Sequence, residues 1–327
     1  MDPIRNIAKT LFVASLACFA SWGSCAADQP VTDPGSAQSP TFTPNGHRVG
    51  LLDFTLPFYL FNGHILIDGA VNGRPGKFMF DTGTEFPFLL NNHFLPLSKD
   101  QLVGQGHAAS GQDIVIYRQK EPVASIEIGA QIRFENVPAL LHADWGFLEQ
   151  AYTSHFLGSI GHGFNRNYLF VVDYDAQTIT FHALNQEESV LARVIDPARV
   201  LATLHFTPTG VDGKMPEVDM QIGDETLTAF FDTGNSGTLE LTEHMKNTLE
   251  RKGKLTLTAS DHTYGSYEAS VRGTLQGLSY SAQPLGEIRN LLFTSGTRDR
   301  VGLGYHFLKN YVTVWDYSRR TLTLLKP

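Results

Sequence analysis

The sequence predicts an all-β protein made of two related, β-barrel-like lobes. Three observations carry that expectation. From Leu51 onward, runs of Val, Ile, Phe, Tyr and Thr alternate with Gly, Asn and Asp turns, spaced about 8–12 residues apart as in proteins of short strands. Helical segments are few. The chain also contains one unit twice, which sets the number of lobes.

The strand texture is clearest in residues 64–73 (HILIDGAVNG), 125–134 (SIEIGAQIRF) and 311–325 (YVTVWDYSRRTLTLL). The best helix lies over 242–252, with Thr242 as N-cap and Gly253 placed to end it. Residues 91–101 allow one further short turn of helix. The repeat is read by sliding the chain on itself. Phe78-Met79-Phe80-Asp81-Thr82-Gly83 aligns with Ala229-Phe230-Phe231-Asp232-Thr233-Gly234 at an offset of 151. Ile160-Gly161-His162-Gly163-Phe164 aligns with Leu303-Gly304-Tyr305-His306-Phe307 at an offset of 143. That second match continues through Asp173-Tyr174 on Asp316-Tyr317. The first copy is therefore eight residues longer between its motifs.

The 327 residues leave room for such a duplication plus flanking segments. Hydrophobic residues at 42% supply a sizeable core, and charged residues make up only 18%. The net charge of −8, with no basic block, argues against a nucleic-acid partner, because phosphate contacts need clustered cations. Two cysteines, Cys18 and Cys25, exclude a disulfide framework and a cysteine zinc site. Both lie in a segment laid out as a secretory signal peptide. Arg5 and Lys9 precede a 13-residue apolar run over 10–22, and residues 23–27 (GSCAA) suit a peptidase site. A lipid anchor on Cys25 is the minor alternative; the preceding Trp22-Gly23-Ser24 does not fit it well. The expected organisation is a signal peptide over 1–27 and a flexible, Pro- and Ser-rich linker over 28–50. An N-terminal lobe follows over 51–190, an interlobe connection over 191–212 and a C-terminal lobe over 213–327. Export to the periplasm or the medium follows from this layout, with no stable insertion into a membrane.

One Asp-Thr-Gly is a weak signal, since a polar β-turn uses the same residues. Two copies in equivalent places are much stronger. Each follows an apolar strand and precedes an apolar-Gly motif by about 70–80 residues. On these residues the chain resembles the two-lobed aspartic proteases of the retropepsin-like and pepsin-like group, over most of 51–325. The resemblance implies an acid-protease fold with a cleft between the lobes, and Asp81 and Asp232 as the catalytic dyad. It implies that Thr82 and Thr233 clasp across the lobes, with Gly83 and Gly234 permitting the approach. Gly161 and Gly304 would pack beneath the two loops. The residue after the motif usually brings a hydroxyl to the carboxylate. Thr84 fits that pattern; Asn235 departs from it, with its amide or Ser236 as substitute donors. Flap candidates are Tyr264 and Gly265 in the second copy and the glycine-rich stretch holding Gly106 and Ser110 in the first.

The chemistry also follows from elementary acid–base requirements. Amide hydrolysis needs a base for water and an acid for the leaving nitrogen. Two carboxylates about 3 Å apart share one proton and supply both, as the aspartic-protease dyad is known to do. The expected activity is endopeptidase action on an extended peptide, by a monomer without metal or cofactor. The alternative is a catalytically silent relative that binds peptides or envelope components. The twelve histidines contain no metal motif, and neither a Gly-x-Ser-x-Gly elbow nor a Walker loop is present.

Overall fold

The computed structural model describes residues 53–107, 112–184, 187–209, 215–260 and 270–327. The expected signal peptide (1–27) and linker (28–50) lie outside them. So do Ser110, Tyr264 and Gly265.

The first copy opens with β1 (Phe54–Pro57), β2 (Tyr59–Phe61), β3 (His64–Val71), β4 (Arg74–Phe80) and β5 (Phe88–Asn91). It continues with β6 (Gln101–His107), β7 (Asp113–Arg118), β8 (Val123–Ile128), β9 (Ile132–Val137) and β10 (Leu141–Ala143). It closes with α1 (Gly146–Ala151), β11 (Phe156–Ile160), α2 (His162–Asn165), β12 (Tyr168–Asp173) and β13 (Thr178–Ala183). After α3 (Glu187–Val194), the second copy begins with β14 (Val200–His205), β15 (Thr207–Thr209), β16 (Met215–Ile222), β17 (Glu225–Phe231) and β18 (Thr238–Leu241). There follow α4 (Glu243–Arg251), β19 (Leu255–Ser260), β20 (Ser270–Tyr280), β21 (Gln283–Ser295) and β22 (Arg300–Leu303). The last elements are α5 (Tyr305–Leu308), β23 (Val312–Asp316) and β24 (Thr321–Leu325).

Equivalent strands make equivalent pairings. β11 runs parallel to β4, and β22 parallel to β17. β10 runs parallel to β5, and β21 parallel to β18. Apolar side chains at alternate strand positions put the two lobe interiors into one buried cluster, from Ile65, Phe78 and Phe80 to Leu227, Phe231 and Leu303. The lobes join through a six-stranded sheet in the order β1-β13-β12-β23-β24-β14. At its centre Val171 pairs with Val314, its own counterpart at the offset of 143, so a pseudo-twofold axis passes through that pair. The helix α3 covers one face of this sheet, with Val190 packed on Leu169, Val314 and Leu325.

One boundary differs from the sequence reading, and two details fill it in. Residues 191–212 are more than a connection. Leu56 pairs with Ile179 and Leu204 pairs with Leu322, so β14 is the counterpart of β1 and the second copy starts at Val200, ahead of residue 213. The short turn expected within 91–101 is present as one hydrogen-bonded turn, Leu95 N–H to Asn91 O at 2.9 Å. Pro96 has no N–H to extend it. The eight extra residues of the first copy are the α1 segment: residues 144–155 separate β10 from β11, whereas 296–299 separate β21 from β22. The helix α4 agrees with expectation. Thr242 Oγ1 accepts from Met245 N–H at 3.2 Å, and Gly253 takes a φ of +63° just past the helix end.

Candidate active site

Both Asp-Thr-Gly loops follow the central strand of a lobe, β4 and β17. Asp81 N–H donates to Ile160 O at 2.9 Å, and Asp232 N–H donates to Leu303 O at 3.3 Å. Each loop thus continues the parallel pairing of its strand. The glycines after Ile160 and Leu303 sit directly beneath. A side chain at Gly161 would collide with Thr84 O, and one at Gly304 would collide with Asn235 O. His162 N–H and Tyr305 N–H donate to those same two carbonyls, each at 2.7 Å.

Across the pseudo-axis the two threonines form a reciprocal clasp. Thr82 N–H donates to Thr233 Oγ1 at 3.1 Å, and Thr233 N–H donates to Thr82 Oγ1 at 3.0 Å. Each hydroxyl donates onward to the opposite strand, Thr233 Oγ1 to Phe80 O at 2.9 Å and Thr82 Oγ1 to Phe231 O at 3.3 Å. These four buried hydrogen bonds form only when both lobes are in place. A side chain at Gly83 would begin 2.6 Å from Asp232 Cγ, and one at Gly234 would overlap the Asp81 carboxyl. Only glycine therefore lets the two carboxyls come within hydrogen-bond reach of each other.

Both carboxyls are fully buried, and their support is unequal. Asp81 Oδ1 accepts from Gly83 N–H at 2.8 Å and Thr84 N–H at 3.1 Å, and its Oδ2 accepts from Thr84 Oγ1 at 2.8 Å. Asp232 Oδ1 accepts from Gly234 N–H at 2.8 Å, and its Oδ2 receives no protein donor among the described residues. The reason is the residue after the motif. Asn235 turns its amide to Thr238 Oγ1 at 3.2 Å, and its side-chain oxygen accepts from Gly237 N–H at 2.6 Å. The expectation that Asn235 would replace the hydroxyl is therefore corrected: it braces its own loop. Ser236, also buried, makes no hydrogen bond to Asp232 either.

Burial raises both carboxyls above the ordinary range. For Asp81 the donors around it oppose that rise. For Asp232, burial and the neighbouring Asp81 charge act together and push it well up. The three donors favour the ionised form of Asp81, and the proton that two carboxyls this close retain belongs to the pair.

Two tyrosines that the sequence reading left unassigned flank the pair. Tyr174 lies 5.7 Å from Tyr305, the first residue of α5, and Tyr317 lies 4.7 Å from His162, the first residue of α2. Each crosses to the opposite lobe, in a symmetric exchange. Both phenols are pushed up, first by burial; the neighbouring Tyr305 and then the Asp232 carboxyl add to this at Tyr174, and the Asp232 carboxyl adds to it at Tyr317. The recurring Asp-Tyr of the repeat was the signal that could have found them. Gly106 sits in β6 opposite Ile114 of β7, in a hairpin whose tip, 108–111, lies outside the described residues. The hairpin β19–β20 is its counterpart in the second lobe. Among the described residues no group of three or more metal-binding side chains gathers, and no helix is long and apolar enough to cross a membrane.

No family model matches the chain, and no curated protein matches it. Among solved structures it is similar to the basic 7S globulin from soybean, with a TM-score of 0.49 and 11% identity, over 84% of this chain and 95% of that one. The strand pairings and the threonine clasp themselves define the architecture: an all-β, two-lobed acid-protease fold.

Proposed function

We propose that this chain is an aspartic-type endopeptidase of the retropepsin-like kind, exported and active as a monomer. The observation that carries the reading is the clasped pair of loops, which holds two buried carboxyls within hydrogen-bond reach of each other. Ionised Asp81 takes a proton from a water held at the pair while the water oxygen attacks the peptide carbonyl. Protonated Asp232 polarises the carbonyl oxygen and passes its proton to it, giving a neutral gem-diol. Collapse of the gem-diol breaks the C–N bond. The leaving nitrogen receives the proton held by Asp81, and a hydroxyl proton returns to Asp232. The starting state is regenerated without a covalent intermediate, and the protons belong to the pair throughout. The substrate is a peptide in extended conformation, held by strand-like hydrogen bonds across the cleft.

The test is cleavage profiling of a peptide library and of envelope proteins at mildly acidic pH, wild type against Asp81→Asn. Products made by the wild type alone are expected. Equal cleavage by the variant would overturn the assignment. Binding of a pepstatin-type inhibitor without any cleavage would favour the silent, peptide-binding alternative. A rate still rising above pH 8 would contradict a proton shared at the pair.

A further inference from the structure

His64 is a fully buried histidine that the mechanism above does not use. It opens β3, just after the tight turn at Asn62 and Gly63, whose φ values are +49° and +82°. That turn presses on the second lobe: a side chain at Gly63 would begin 2.7 Å from Tyr305 Cδ1. β3 pairs with β4 through Leu66 and Met79. Extending that register by two residues sets His64 opposite Asp81. The imidazole lies 5.0 Å from the Tyr152 ring. Neither ring nitrogen makes a hydrogen bond of good geometry, yet the backbone of Phe61, Asn62 and Gly234 lies within polar reach. Gly234 belongs to the loop of the second aspartate. His306 of α5 is near enough to act electrostatically on His64, and its backbone N–H donates to Ser236 O in that same loop at 3.1 Å.

We propose that His64 is a positioning residue for the second aspartate: as a neutral imidazole fixed in the first lobe, it props the Asp232-Thr233-Gly234 loop from the opposite side. Protonation of His64 and His306 in acid removes the prop. The surroundings explain why the charged form is unwelcome. Burial, with a smaller push from His306, brings His64 down from 6.5 to about 4 against the opposing pull of the Asn62, Phe61 and Gly234 backbone. His306 is also held at about 4, by burial and by Lys309 and Arg272. Tyr152 offers no counter-charge. The dyad, with its single negative charge already taken by three donors on Asp81, is a weak one. Two imidazolium ions within electrostatic reach of one another would repel across the lobes beside the dyad. Such a chain works in mild acid and shuts down in strong acid.

The inference rests on the peptidase reading, and two readouts keep them apart. The first is the pH profile of kcat and KM for the full chain. His64→Gln is expected to keep kcat near neutrality within about threefold and to move the acid limb down by about one pH unit. His64→Leu fills the space without a polar edge and is expected to lower kcat about tenfold with KM little changed. Acid limbs that coincide in wild type and His64→Gln would overturn the proposal, as would wild-type kinetics in His64→Leu. The second readout is thermal unfolding against pH, which needs no activity. Between pH 6.5 and 4 the unfolded chain takes up protons that folded His64 and His306 refuse, so stability present above 6.5 is lost as pH falls. The wild type should lose stability across that window more steeply than His64→Gln or His306→Gln. Parallel curves overturn the buried neutral pair. A steeper wild-type curve with no cleavage of any peptide overturns the peptidase reading and leaves the interlobe histidines standing.

Discussion

The two lobes carry the same three-residue motif on the same strand, yet treat their aspartates differently. Among the described residues, Asp81 accepts three hydrogen bonds from Gly83 and Thr84, whereas Asp232 accepts one of good geometry, from Gly234. The difference comes from a single position, Thr84 against Asn235. A second contrast lies on the strand faces beside them. The first lobe covers Met79, Leu66 and Leu89 with an apolar cap of Trp145, Leu148 and Tyr152 from the α1 segment. The second lobe places a part-buried Glu217–Arg300 ion pair there, with the guanidinium over Phe230 at 4.8 Å. A duplicated scaffold thus keeps what holds the loops together and varies what surrounds each carboxyl.

The largest test of this comparison removes one carboxylate at a time. Asp81→Asn and Asp232→Asn should each lower kcat at least about 100-fold, the low end for losing an acid–base group. Their stabilities should differ. Asp232 is raised further above its unfolded value, so the folded state holds its proton longer, and stability is lost as pH rises through that window. Asp232→Asn should therefore raise Tm at pH 7, with the gain shrinking toward pH 4, and Asp81→Asn should raise it less. Equal gains would erase the asymmetry. Next is the clasp. Thr233→Val leaves Thr82 N–H and Phe80 O without partners and should cost about 2–3 kcal/mol in denaturant unfolding. Thr82→Val should cost about the same, because the clasp is symmetric.

Smaller effects sharpen the contrast. Thr84→Val removes the hydroxyl donor to Asp81 and should move the acid limb of the rate profile up by about half to one unit. Asn235→Thr should give Asp232 a donor and move the alkaline limb down by a similar amount. Smallest is a change outside both half-sites. Thr242→Ala removes the α4 cap, should cost about 1 kcal/mol in unfolding, and should leave the pH profile where it was.

Much of this was legible because duplication writes the same instruction twice. The Asp-Thr-Gly strands and the apolar-Gly motifs recur at fixed offsets, so their pairing could be read without coordinates. The start of the second copy could not, because β1 and β14 match at an offset of 148, three residues out of step with 151. The segment around them is polar and carries Pro197 and Pro208, which reads as linker. The helix α1 was hidden by its six-residue length and by the absence of a side-chain cap on its first turn. Asn235 offers a donor of the right type, but loop geometry turns the amide away, and composition cannot report direction. His64 opens an apolar strand and has no sequence neighbour that marks it, so only the folded register reveals what it faces.

The pseudo-twofold axis through Val171 and Val314 has one more consequence. Two identical chains arranged about such an axis would make every substitution twice, once on each side of the dyad. A Thr84 would then face another Thr84, and a lone Asn235 could not exist. Joining the halves in one chain frees each side to drift independently. Symmetry survives where the lobes must grip each other and lapses where a proton must choose a side.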